Sequence, residues 1–85
     1  MRLDKFLKVS RIIKRRTLAK EVCEQGRITI NDQVAKAGSN VKPGDILVIR
    51  FGQKLVTVEV NDVKDVVRKE QAGMLYTIVK EEPVS

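Results

Sequence analysis

Leu3, Phe6 and Leu7 recur at the three- and four-residue spacing of one helix face, with Arg2, Asp4, Lys5 and Lys8 between and beside them. That pattern predicts a short amphipathic helix over Arg2–Val9. From Ser10 to Arg16 the period breaks, and the stretch reads as a linker, partly a single turn, in which Ile12 and Ile13 can anchor in a core. Leu18, Ala19, Val22 and Cys23 restore helical spacing, so a second helix is expected from about Thr17 to Gln25. Thr17 is the candidate N-cap, although Lys20 at the third helical position leaves no capping box. Gly26 is a natural C-terminal stop.

Beyond Arg27 the hydrophobic period changes to two. Ile28 and Ile30 point to one side, Asn31-Asp32 makes a turn, and Gln33-Val34 begins a short return strand. After a loop at Gly38–Asn40, Pro43-Gly44-Asp45 turns the chain into a β-branched strand, Ile46–Phe51. Gly52-Gln53-Lys54 connects it to Leu55–Val60, where Val56, Val58 and Val60 alternate with Thr57 and Glu59. Asp62–Ala72 reads as loop with a short helical turn, Gly73 precedes a last strand over Met74–Val79, and the polar tail is expected to fray. The expected fold class is α+β: two short N-terminal helices on a small, mostly antiparallel sheet. One domain is expected over residues 1–80, with its core motif in about the first 50 and a frayed tail at 81–85.

Charge changes the picture more than composition does. The net charge is +6, and it is unevenly placed. Residues 1–27 hold nine Lys/Arg against three Asp/Glu, whereas residues 28–85 hold eight of each. A net charge confined to one third of the chain points to a face that binds a polyanion. The longest apolar run, Ile46-Leu47-Val48-Ile49, is too short to span a membrane, and Arg2–Lys8 has no apolar block resembling a signal peptide, so a cytoplasmic location is expected. Cys23 is the only cysteine and histidine is absent. This inventory excludes an intramolecular disulfide, removes most zinc-site designs, and denies the chain the commonest general base. Cys23 falls on the apolar stripe of its helix and is expected to be a small buried hydrophobe. The carboxylates, Asp4, Asp32 and Asp45 among them, show no motif spacing, and turn or solvent-face roles are expected for them. Neither a cofactor nor a metal is expected.

The basic residues form one constellation. Arg2, Lys5 and Lys8 lie on the first helix, and Arg11, Lys14, Arg15 and Arg16 follow in the linker. The last three precede a helix N-terminus, where cations oppose the helix dipole. They make sense together with an incoming anion, because the first turn's free N–H groups and the planar guanidinium groups both suit phosphate. With only Phe6, Phe51 and Tyr76 aromatic, and Phe6 expected in the core, a base-stacking platform is poorly supplied; phosphates and sugars of folded RNA fit better. A DNA-reading helix-turn-helix is disfavoured, since the second helix would expose Lys20, Glu21, Glu24 and Gln25.

The blocks "RLDKFL", "SRIIKRRTLAKEVCEQGRITIND" and "VKPGD" together resemble the RNA-binding domain named after ribosomal protein S-four, or αL domain, over about residues 1–50. The chain departs from that family in having Asn31-Asp32 where Asn-Gly is frequent, and Lys14-Arg15-Arg16-Thr17 where Lys-Thr-Arg-Ser is frequent. Among small stand-alone members it is similar to heat-shock ribosome-rescue proteins and, more so, to quality-control factors that stabilise P-site tRNA. This resemblance implies a non-catalytic factor that binds stalled large ribosomal subunits through large-subunit rRNA and peptidyl-tRNA. It would hold the tRNA while a partner protein adds untemplated alanine to the nascent chain, and be a monomer off the ribosome. By motif position Arg2, Lys14 and Arg16 are the first candidates for RNA contact, supported by Lys5, Lys8, Arg11 and Arg15. General ribosome assembly, a heat-shock RNA-binding role and, more remotely, a DNA-binding regulator or RNA-modifying enzyme are the rival readings.

Overall fold

The computed structural model, which describes residues 1–84, places α1 at Leu3–Val9 and α2 at Arg16–Glu24. The first backbone N–H groups of α1 find partners at once. Leu3 donates to the Ser39 carbonyl at 2.8 Å and Asp4 to the Ala37 carbonyl at 3.1 Å, while Lys5 donates to the Asp4 carboxylate at 2.8 Å. Val41 donates to the Met1 carbonyl at 2.7 Å, so the loop at residues 37–41 fixes the start of the chain. At the other end of α1 the Ser10 hydroxyl donates to the Leu7 carbonyl, and Arg11 turns the chain with a φ of +62°.

The second helix starts two residues earlier than an N-cap at Thr17 would set it. Arg15 is the N-cap, extended and without a side-chain cap bond, and Thr17 lies exposed inside the first turn. No acid of α2 itself lies in that turn; the buried carboxylate of Asp4, on α1, stands beside it through Arg16. Gly26 ends α2 as expected. With φ at +72° its N–H donates to Cys23 O, and the Arg27 N–H to Val22 O, the paired bonds of a Schellman stop.

The remaining chain builds one antiparallel sheet of five strands: β1 (Ile28–Ile30), β2 (Gln33–Val34), β3 (Ile46–Phe51), β4 (Lys54–Val60) and β5 (Tyr76–Pro83), in the order β2-β1-β3-β4-β5. Asn31 and Asp32 take φ of +50° and +69°, so the pair makes a type I′ hairpin turn without the usual glycine. Asn31 is held there from both ends of its amide, which donates to Asp45 and accepts from the Ile46 N–H. Leu47 and Ile49 share the inner face with Val56, Val58 and Val60. Against it pack Leu3, Phe6 and Leu7 of α1, Ala19 and Cys23 of α2, and Ile13 of the linker, all buried. Burial, then Asp4 and Glu24, push the Cys23 thiol up to about 11, in keeping with a packing role.

Two expectations at the C-terminal end are corrected. Met74 and Leu75 belong to a 3₁₀ helix, Lys69–Leu75, and the last strand begins only at Tyr76. The tail does not fray as far as Val84: Lys80, Glu81, Glu82 and Pro83 pair with Thr57, Val56, Leu55 and Lys54, and Val84 donates to the Gln53 carbonyl. Ser85, the end of the expected frayed segment, lies outside the described residues. An edge strand beyond the reach of the helices needs no apolar alternation. It can carry charge on its exposed positions, and Lys54–Glu81 makes a cross-strand ion pair at 3.2 Å. Pro83 ends that edge without removing a central ladder bond. Among the described residues no helix is long and apolar enough to cross a membrane.

Candidate RNA-binding surface

Of the seven basic residues singled out in the sequence, Arg2 is the N-cap of α1, Lys5 and Lys8 lie on α1, Arg11, Lys14 and Arg15 precede α2 in the linker, and Arg16 opens α2; six are exposed and Lys5 is half-buried. The fold sorts them into distinct groups. In the first, Arg2 and Arg16 converge on one carboxylate. Asp4 Oδ1 accepts from Arg2 Nε at 3.2 Å and Asp4 Oδ2 from Arg2 Nη2 at 3.4 Å, while Arg16 Nε lies 3.6 Å from Oδ2. The Asp4 side chain is 3% exposed, whereas the two arginines remain 56% and 50% exposed. Asp4 therefore anchors their inner edges and leaves their remaining N–H donors to the solvent.

Asp4 was expected to serve a turn or a solvent face, and it does neither. Its burial is tolerated because both oxygens are engaged, one also by the Lys5 backbone N–H. One signal of this role was present in the sequence: Asp4 is the only acid among the first twenty residues. Asp45 is buried as well, but closes the turn at residues 42–45 by accepting from the Lys42 N–H at 3.0 Å.

The second group is Lys8, Arg11 and Lys14, which line one surface cavity of about 270 Å³ with Asp65 and Val66. Lys5 makes an ion pair at 3.0 Å with Asp65, and Arg15 joins neither cluster. Arg11 holds its place with left-handed backbone, a conformation that costs an ordinary residue about 1–2 kcal/mol. Arg11→Gly is accordingly expected to raise the unfolding free energy, by about 0.5–1 kcal/mol after glycine's extra entropy loss, while weakening RNA binding. Chemical denaturation and equilibrium binding on the same protein check that the two move in opposite directions.

Among the described residues no group of three or more His, Cys, Asp or Glu could hold a metal ion. Two helices presenting clustered arginines and lysines over an antiparallel sheet define a polyanion-binding module. The chain belongs to the S4 domain family, whose model matches residues 1–47. Over 85 residues it is 76% identical to the RQC P-site tRNA stabilizing factor of Halalkalibacterium halodurans, covering 100% of this chain and 97% of that one. Over 82 residues it is 72% identical to the factor of the same name from Bacillus subtilis, covering 96% and 95%. The structure is similar to that of Vibrio cholerae Heat Shock Protein 15, described as trimeric, with a TM-score of 0.85 and 32% identity over 93% of this chain and 81% of that one.

Proposed function

We propose that this protein is a non-catalytic RNA-binding factor of ribosome-associated quality control. It binds large ribosomal subunits that still carry peptidyl-tRNA, through rRNA and tRNA, and stabilises the tRNA in the P site during untemplated alanine tailing. The observation that carries this reading is the pair of cationic groups on α1, the linker and α2, together with end-to-end similarity to proteins named for P-site tRNA stabilisation. Arg2, Lys14 and Arg16 are the leading RNA contacts, with Lys5, Lys8, Arg11 and Arg15 beside them. In this reading a partner protein of the quality-control class adds the alanine on the ribosome, and this chain supplies binding.

The test is cosedimentation with purified large subunits, with and without peptidyl-tRNA, over a range of salt. Contact with about four to six phosphates predicts that log affinity falls with log salt at a slope of about −3 to −5. A slope near zero would overturn the electrostatic account. Equal binding to subunits lacking tRNA would favour the second reading, a general ribosome-assembly or heat-shock RNA-binding role, which the likeness to Heat Shock Protein 15 supports. A DNA-binding regulator is disfavoured by the exposed face of α2, where Glu21 and Glu24 accompany Lys20 and Gln25. Competition by duplex DNA at physiological salt checks that point.

A further inference from the structure

The cavity lined by Lys8, Arg11 and Lys14 is closed on its far side by a segment outside the part of the chain that the family model matches. Residues 61–68, between β4 and the 3₁₀ helix, bring Asp65, Val66 and Val67 to face the linker. Three cations drawn from the end of α1 and from the linker around a single opening suit one phosphate better than they suit one another. Val66 is 87% exposed beside them, an apolar side chain in a place where burial does not explain it. Asp65 is the anomaly: a carboxylate, 80% exposed, at the mouth of a cationic cavity and bound to Lys5 Nζ at 3.0 Å.

We propose that this cavity is a phosphate site with a built-in competitor: it takes one phosphodiester of the bound RNA, and Asp65 opposes that entry and so sets the affinity. The proposal rests on the RNA-binding reading above and adds to it an acid that opposes binding, where Asp4 supports it. In the free protein Asp65 partly neutralises the cations and ties residues 61–68 to α1 through Lys5. When a phosphate enters, the two anions repel, Lys5 is freed from Asp65, and a fourth cation becomes available to the RNA. The repulsion weakens every RNA ligand alike, so at a given protein concentration only a ligand with enough other contacts to offset it stays bound.

The experiment compares wild type, Asp65→Asn and Asp65→Glu in two assays. In binding to large ribosomal subunits, Asp65→Asn is expected to bind about three- to ten-fold tighter than wild type, the range for removing one partly screened like charge near a phosphate. Asp65→Glu, which keeps the charge, is expected to bind like wild type. In a heteronuclear NMR titration with inorganic phosphate, the amide shifts should concentrate at residues 8–14 and 65–67 and saturate at lower phosphate in Asp65→Asn. Equal or weaker binding by Asp65→Asn would overturn the proposal, as would Asp65→Glu binding as tightly as Asp65→Asn. So would phosphate shifts spread evenly over all surface lysines. Failure of wild type to bind subunits would instead overturn the RNA-binding reading, and the phosphate titration would still decide the cavity.

Discussion

Replacing Arg2 and Arg16 together by alanine is expected to weaken binding to large ribosomal subunits by about two to three orders of magnitude. Each guanidinium is half exposed and anchored at one edge, so its free donors are set for phosphate without further ordering. A charge-assisted hydrogen bond contributes about 1.5–3 kcal/mol, and the loss of two such residues comes to about 3–4 kcal/mol after allowance for solvent exposure. The single substitutions should not add to the double. Both arginines rest on Asp4, so removing either one frees the carboxylate to hold the other more tightly, and its reach toward RNA changes. A double-mutant cycle of subunit affinities, on proteins shown to be folded by circular dichroism, measures that coupling. A loss below about ten-fold for the double variant would remove this pair from the interface. The salt slope provides a second reading of the same experiment, since it should fall by about 0.7–0.9 for each phosphate contact removed.

Much of the scaffold was legible in the chain because it depends on local chemistry. Leu3, Phe6 and Leu7 mark the buried face of α1, Gly26 marks the stop of α2, and Asn31-Asp32 marks a turn that needs positive φ twice. The alternation of Val56, Val58 and Val60 reads directly as an inner sheet face. What local pattern does not encode is the partner across space. The start of α2 is not encoded locally, because the acid near its first turn comes from α1, twelve residues before Arg16. The paired tail is not legible either, because Lys80-Glu81-Glu82-Pro83 has the pattern of solvent-loving coil, and its order depends on β4 offering an open edge. The basic residues were legible as a set but not as groups. Their division between a carboxylate clamp and a cavity follows from the left-handed turn at Arg11 and from residues 61–68, neither of which the charge pattern reveals.

Asp4 provides the sharpest test of whether the site works by organised geometry or by bulk charge. Removing this acid raises the formal net charge of +6 by one unit, so a surface acting only through its total charge would bind RNA more tightly. Anchored arginines predict the reverse. Asp4→Asn keeps an oxygen to accept the Lys5 N–H but loses the charge that holds two guanidinium groups 3.2 Å and 3.6 Å away. Arg2 and Arg16 then repel each other, regain rotamer freedom, and must be ordered again at the moment of binding. The expected result is roughly ten- to a hundred-fold weaker binding to large subunits, with unfolding free energy lower by about 1–2 kcal/mol. Asp4→Ala, which also strips the acceptor from the first turn of α1, should cost about 2–4 kcal/mol of stability. Tighter binding by a folded Asp4→Asn protein would return the site to bulk electrostatics. The comparison with Asp65→Asn gives the test its force, because each substitution neutralises one acid that contacts the cations of the N-terminal region. A buried carboxylate that positions arginines and an exposed one that competes with phosphate must shift affinity in opposite directions.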